Sequence, residues 1–188
     1  MVGVPTIQST RLDLMSMSTG FLRASLDGRL PDAERLLGAA LPPDWPGGHE
    51  QERTMRWRLD EITAQPAAQP WLLRAIVLRE PERRVIGQIG FHDPPGPERK
   101  VEVGYGVWPE YRRRGFALEA VKALFAWAIS EHRITHFVAS VGPWNEPSLG
   151  VVRKLGFVQT GSQIDEFDGE ELVFELHLPD PSAESPEL

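Results

Sequence analysis

Three consecutive arginines and a glycine stand immediately before an amphipathic helical pattern. Arg112, Arg113 and Arg114 can donate charge-assisted hydrogen bonds, and Gly115 lets the backbone approach a ligand closely. The first amides of a helix have no intrahelical acceptor, and the helix dipole favours negative charge there. The pattern therefore predicts a site for a phosphate or pyrophosphate. A solvated cationic helix start is the alternative.

A second polar stretch begins another predicted helix. Asn145 is a suitable N-cap and Pro147 falls in the first turn, while Gly156 marks the end of the helix. Taken alone, this stretch predicts a well-capped helix with a glycine stop, in which Asn145 and Ser148 only cap the helix.

Two side chains are candidates for proton transfer. Glu102 lies on a predicted strand whose alternation places it on one face with Gly104 and Gly106. His92, followed by Asp93, ends the preceding strand, and histidine changes its charge near neutral pH. A surface glutamate and a histidine that precedes a turn are the alternatives. Because no histidine cluster has metal-ligand spacing, no metal is predicted.

The pattern of apolar residues predicts the elements that position these groups. Strands are expected at 6–14, 71–79, 84–92, 101–108, 135–142, 157–167 and 171–178, with a hairpin turn at Asp168-Gly169. Helices are expected at 21–27, 32–39, 51–64, 117–128 and 147–155. This order predicts an α/β sheet with helices on its faces.

Composition limits what kind of protein this is. The 188 residues are 41% hydrophobic and 25% charged, which predicts one domain over residues 1–178 and a disordered acidic tail at 179–188. The absence of cysteine excludes thiol catalysis and is compatible with a cytoplasmic location. A net charge of −7 disfavours nucleic-acid binding. No apolar run is long enough for a membrane span, and no secretory leader is visible.

Together the two polar stretches resemble the Gcn5-related N-acetyltransferase (GNAT) superfamily. The acetyl-CoA signature of that family, Gln/Arg-x-x-Gly-x-Gly/Ala, matches Arg112-x-x-Gly115-x-Ala117. A second family signature matches Asn145, Ser148 and the Gly156-Phe157 pair. Within the superfamily, the segments 10–14, 102–105 and 118–120 are similar to the RimJ/RimL branch of ribosomal-protein N-terminal acetyltransferases.

The resemblance implies a particular fold and cofactor. The expected fold is a mixed, mostly antiparallel twisted sheet of about seven strands with helices on both faces. Its splayed central strands would hold acetyl-CoA, with backbone groups around Gly106 and Val107 pairing with the pantetheine. Asn145 would contact the cofactor from the far side. The pyrophosphate would bind the backbone amides of Arg113, Arg114, Gly115, Phe116 and Ala117.

The implied reaction is direct attack of an amine on the thioester, without an acyl-enzyme. It needs a base, an oxyanion donor such as a strand amide near Val107, and an acid for the thiolate. Glu102 is the first candidate base, because members of the resembled branch often have an acidic residue at that strand position and the strand borders the reaction centre. His92 is the second candidate base. Many family members carry a tyrosine that acts as the general acid four residues after the Ser148 position. This chain has Val152 there. Ser148 is therefore the matched candidate acid, with Tyr105 and Tyr111 as further candidates.

The acceptor is expected to meet the variable loops. Asp44 and Trp45 could attract and flank a cationic amine, and Trp144 could line the entrance or pack in a dimer contact. Trp45 as a hydrophobic plug under its loop is the alternative, and Trp57 is expected to pack internally. The expected acceptor is a protein N-terminus or a small-molecule amine, with a homodimer left open. A non-catalytic acyl-CoA-binding regulator is the competing function.

Overall fold

The computed structural model describes residues 3–166 and 169–179. Over these residues it contains eight strands and five α-helices. The strands are β1 (Ile7–Gln8), β2 (Leu12–Ser16), β3 (Arg74–Leu78), β4 (Arg84–Phe91), β5 (Lys100–Val107), β6 (His136–Val141), β7 (Val158–Asp165) and β8 (Gly169–His177). The helices are α1 (Thr19–Leu26), α2 (Leu30–Leu37), α3 (His49–Ala64), α4 (Phe116–His132) and α5 (Glu146–Leu155). Residue 168 of the predicted turn and residues 180–188 of the predicted tail lie outside the described residues.

The strands form one mixed sheet in the order β1-β2-β3-β4-β5-β6-β8-β7. Every neighbouring pair is antiparallel except β5 and β6. This confirms the expected α/β class and the mostly antiparallel sheet. The single strand expected at 6–14 is wrong, because the polar residues 9–11 form a turn. Ser9 donates its amide to the Leu12 carbonyl at 2.9 Å, so this segment is a hairpin of two strands.

The central pair β5 and β6 separates along its length. Pairing is limited to three steps, in which residues 100–102 of β5 lie opposite 136–138 of β6. Beyond Glu102, β5 continues to Val107 and β6 continues to Val141 without pairing to each other. The two strands therefore leave a wedge-shaped gap, whose vertex lies at the Glu102 and Val138 step.

Hydrophobic clusters cover both faces of the sheet. Along β3, Ile76 packs with α4 and α5, whereas Ala75 and Val77 pack with the cluster that contains α1 and α3. This division follows from the alternation of side chains along a strand. The stacked rings of Phe125 and Phe137, with centroids 3.8 Å apart, join α4 to β6 beside the gap. Helices on both faces are thus confirmed. No helix within the described ranges is long and apolar enough to cross a membrane.

Candidate active site

The turn that connects β5 to α4 presents unpaired amides. We call residues 109–117 the anion turn; it contains a 3-10 helix at Pro109–Tyr111. Arg113 and Gly115 have positive φ values of 58° and 80°, which curve the backbone into a concave nest. The first amide of α4 to find a helical acceptor is that of Glu119, which bonds to Gly115 at 3.0 Å. Within the part of the chain that the structure describes, the amides of 113–117 have no backbone acceptor, so they can bind an anion.

A residue far away in sequence holds the start of α4. Arg11 donates its amide and its Nε to the two carboxylate oxygens of Glu119, each at 2.7 Å. Its guanidinium also donates to the Arg114 carbonyl at 3.2 Å and lies 4.4 Å from the centre of the Phe116 ring. The sequence alone does not indicate this clamp, because the residues that it joins are 108 positions apart.

The carboxylate of Glu119 is kept ionised by this clamp. Burial opposes its ionisation, but hydrogen bonds from the Arg11 amide, the Ser9 hydroxyl and the Arg11 guanidinium together lower the pKa of Glu119. The side chain is 17% exposed. A negative charge one turn into α4 is also favoured by the helix dipole.

The pairing of β5 with β4 determines which backbone groups face the gap. The His92 amide donates to the Glu102 carbonyl at 2.8 Å, and the Trp108 amide donates to Ile86 at 2.9 Å. Because hydrogen-bonded positions alternate in an antiparallel pair, the even-numbered residues of β5 pair with β4. The backbone of Gly106 therefore points to β4. The expectation that its amide and carbonyl face the gap is wrong.

The odd-numbered residues of β5 present their backbone groups to the gap. Val107 and Tyr105 lie in the part of β5 that pairs with β4 but not with β6, and Tyr105 is closer to the vertex. The carbonyl of Val107 accepts a hydrogen bond from Arg112 Nε at 2.9 Å. Arg112 thus joins the end of the strand to the anion turn. The Val107 amide remains available on the gap side.

A cleft of about 810 Å³ lies between α3 and the β4–β5 face of the sheet. We call it the first cleft. Gly104 and Gly106 form part of its floor, and the His92 ring lies over Gly104 so closely that a Cβ there would approach His92 Nε2 to 2.8 Å. The absence of side chains at these two glycines therefore makes room for His92 and for the cleft. Other lining residues are Gln51, Thr54, Trp57, Gln88 and Asp165.

His92 and Glu102 lie together at the junction of two clefts. The His92 Nδ1 and Glu102 Oε2 atoms are 3.8 Å apart, a distance that a small movement or one water molecule can bridge. Glu102 lines a second cleft of about 720 Å³, and His92 lines both. We call this other space the second cleft. Its wall carries the acidic groups of Asp93, Glu98 and Glu175 as well.

A buried arginine fixes the backbone of His92. Arg58 of α3 is 5% exposed and donates to the His92 carbonyl at 2.7 Å and to Glu61 Oε2 at 2.6 Å. The sequence alone does not single out Arg58, since nothing in a helical pattern indicates which charged residue turns inward. This contact attaches the His92 backbone to α3.

Ser148 and Tyr105 meet on the α5 side of the gap. The Tyr105 hydroxyl donates to the Ser148 carbonyl at 3.4 Å, and burial raises the pKa of Tyr105, so its phenol is protonated at neutral pH. The Asn145 side chain accepts from the Ser148 amide at 3.2 Å, which confirms Asn145 as an N-cap. Val152 is buried in the core. The hydroxyl of Tyr111, the other candidate acid, accepts a hydrogen bond from Arg84 Nη1 at 3.5 Å.

The three residues expected to bind the acceptor, Asp44, Trp45 and Trp144, lie outside the two clefts. Trp45 is 6% exposed and stacks on Trp108 with centroids 5.9 Å apart, so the prediction that it contacts the acceptor is wrong and it acts as a plug. Asp44 and Trp144 are exposed and line neither cleft. Trp57 was expected to pack internally but is 57% exposed at the first cleft, with the Arg58 guanidinium 4.2 Å from its ring centre.

The gap between β5 and β6, the anion turn and the adjoining clefts together form the candidate active site. Residues 31–158 match the family model described as an acetyltransferase (GNAT) domain. The chain therefore belongs to the GNAT acetyltransferase family.

Individual relatives agree with this assignment. The uncharacterized N-acetyltransferase YjdG of Bacillus subtilis is 24% identical over 81% of this chain and 89% of YjdG. YoaA, an uncharacterized N-acetyltransferase of the same organism, is 34% identical over 44% of this chain, and the match spans 47% of YoaA. A solved structure of RimL, a ribosomal L7/L12 alpha-N-protein acetyltransferase in complex with coenzyme A, has a similar fold. Its TM-score is 0.64 at 17% identity, covering 93% of this chain and 98% of RimL.

Proposed function

We propose that this protein transfers the acetyl group of acetyl-CoA directly to a primary amine. The observation that carries the proposal is the unpaired stretch of β5 and β6 that opens beside the free amides of the anion turn. The gap offers strand-like pairing to the pantetheine amides, and the turn offers donors to the pyrophosphate. RimL, which shares the fold, binds coenzyme A.

The order of these features along β5 orients the cofactor. A pyrophosphate on 113–117 leaves the Val107 amide for the pantetheine and directs the thioester toward the vertex of the gap. The Tyr105 amide, two residues nearer the vertex, is then the donor for the oxyanion. A fixed backbone donor is suited to this task because it needs no reorganisation during the reaction.

The amine is proposed to enter through the first cleft. Its nitrogen forms a bond to the thioester carbon while the bond from carbon to sulfur breaks. His92 takes the proton lost by the amine, and Glu102 stabilises the resulting imidazolium across the distance of 3.8 Å. The departing thiolate takes a proton through the Ser148 hydroxyl, directly or through water, and the hydroxyl regains its proton from solvent. Thiolates of ordinary basicity need only a weak acid.

A protein or peptide N-terminus is the proposed acceptor class. RimL acts on an alpha-amino group of a protein, and the first cleft is open along α3. The exposed Trp57 at the rim can pack against the second or third side chain of a peptide. Because the two clefts meet at His92, the acidic groups of the second cleft also attract a cationic amine toward the inner end of the first cleft.

Two measurements test the proposed function. Isothermal titration with acetyl-CoA and with CoA is expected to show one site per chain. Thiol release is then followed with peptides that have a free N-terminus, with the same peptides after N-terminal blocking, and with small amines. Turnover only with free N-termini supports the proposal. Failure to bind either cofactor overturns it, and binding without turnover across the panel favours the non-catalytic regulator.

We also propose that residues 1–178 form one domain of a cytoplasmic protein and that the chain self-associates as a homodimer. The lack of cysteine supports the proposed location. The exposed Trp144 supports the proposed dimer. Light scattering after size-exclusion chromatography tests the dimer, and Trp144→Ala is expected to weaken it.

A further inference from the structure

Two histidines and a glutamate converge on the open face of β6 and β8. His136 lies directly opposite His177 in the sheet, and Glu175 lies opposite Val138, so the three side chains share one face. Glu175 Oε2 is 2.8 Å from His136 Nε2 and 3.5 Å from His177 Nε2. The ligand atoms of all three residues lie within 4.8 Å of one another. Sequence spacing could not indicate this group, because β6 and β8 are distant in the chain.

The carboxylate is oriented toward both imidazoles. Thr160 of β7 donates its hydroxyl to Glu175 Oε1 at 3.2 Å, which leaves Oε2 directed at the two histidines. Partners of this kind orient the ligands in metal sites. The three side chains project from paired strands, so the backbone holds their spacing.

The surroundings suit a cation. As metal ligands, imidazoles are neutral and a carboxylate carries one negative charge, so these three ligands would contribute a charge of about −1. Lys100 of β5 lies opposite His136 of β6 and forms an ion pair with Glu98, with Lys100 Nζ 2.6 Å from Glu98 Oε2. His177 is 69% exposed, whereas His136 is 23% and Glu175 is 31% exposed. An ion can therefore enter from solvent on the His177 side and keep a water ligand there.

We propose that His136, Glu175 and His177 bind one Zn²⁺ ion. Zinc takes imidazole nitrogen and carboxylate oxygen at about 2.0–2.2 Å in tetrahedral geometry. Tetrahedral ligands at that radius are ~3.4 Å apart, so small side-chain rotations bring the present distances to the required ones. The fourth position belongs to water. The bound ion would connect β6 to β8 on the sheet face that continues into the second cleft, whose wall includes Glu175.

The test uses untagged full-length protein without cofactor, since coenzyme A thiols bind zinc. Equilibrium dialysis and titration calorimetry with ZnCl₂ are expected to give one ion per chain and a raised melting temperature. His177→Ala removes a largely exposed ligand and is expected to abolish both effects without loss of the fold. His49→Ala, at the start of α3, is the matched control and is expected to bind zinc as the wild type does.

A second variant tests the orienting role of Thr160. Thr160→Val keeps the shape of the side chain but removes the donor to Glu175, and the expected loss of zinc affinity is about tenfold or more. Absence of zinc binding by the wild type overturns the proposal. Unchanged binding by His177→Ala also overturns it, because the ion would then lie elsewhere.

Discussion

The anion turn and the first cleft are built in opposite ways. The turn takes its binding groups from backbone amides of residues adjacent in sequence, whereas the cleft takes side chains from α3, β4, β5 and β7. A site made of amides depends on the path of the backbone and tolerates many changes of side chain. A site made of convergent side chains depends on their identity and on the elements that hold them. Four experiments with variants test this difference.

Gly115→Glu is expected to have the largest effect. The added carboxylate would meet the pyrophosphate, and the φ of 80° disfavours any side chain, so cofactor binding should fall below detection by calorimetry. Gly28→Glu is the control, since Gly28 has a φ of 70°, open space around its Cβ position and a place outside both clefts. Both variants should lose similar thermal stability. Retained affinity in Gly115→Glu would show that the pyrophosphate does not bind at this turn.

On the side-chain site, His92→Gln and Glu102→Gln are expected to lower kcat by about 10²–10⁴-fold without changing the KM for acetyl-CoA. If the two residues act as one unit, the double variant loses no more than the more impaired single variant. Glu98→Gln changes the charge of the second cleft equally and should keep kcat. Additive losses in the double variant would contradict the proposed coupling across 3.8 Å.

Arg58→Met separates positioning from chemistry. Methionine retains much of the apolar volume but leaves the His92 carbonyl without its donor, which should cost about 1–3 kcal/mol in the free energy of unfolding. We expect a lower kcat and an unchanged affinity for acetyl-CoA, with partial rescue by Arg58→Lys. The exposed Arg56→Met on the same helix is the control. A normal kcat in Arg58→Met would mean that His92 needs no fixed backbone.

The same division explains what the sequence alone could predict. Local signals located five helices within a few residues, because caps, apolar periodicity and glycine stops lie inside each element. The hairpin of β1 and β2 was missed, since a polar turn of residues 9–11 between short strands does not interrupt the alternation strongly. The anion turn was predictable for the same local reason.

The first cleft was predictable only in part. His92 and Glu102 were recognised as candidates, yet their contact depends on the pairing of β4 with β5. Trp57 was assigned to the wrong environment, whereas the alternative for Trp45, a plug under its loop, is the one observed. The sequence around the two residues does not reveal which of them packs on Trp108. Arg58 was missed because burial of a charged helical residue is decided by tertiary contacts.

Substitution of Glu119 is expected to have the smallest effect. It also tests how far the anion turn depends only on local sequence, since the partner of Glu119, Arg11, is distant in sequence. The pKa of Glu119 is lowered in the folded protein, so the unfolded state binds the proton more readily. Its stabilising contribution is therefore complete above the ordinary glutamate pKa and is lost as the pH falls through the folded value. Urea unfolding of Glu119→Gln at a series of acidic pH values should show a shallower loss of stability than the wild type, with the exposed Glu110→Gln as control. If Glu119→Gln also weakens CoA binding several-fold at neutral pH, the anion turn depends on a contact between distant residues, as the first cleft does. The two sites then differ only in how much they depend on such contacts.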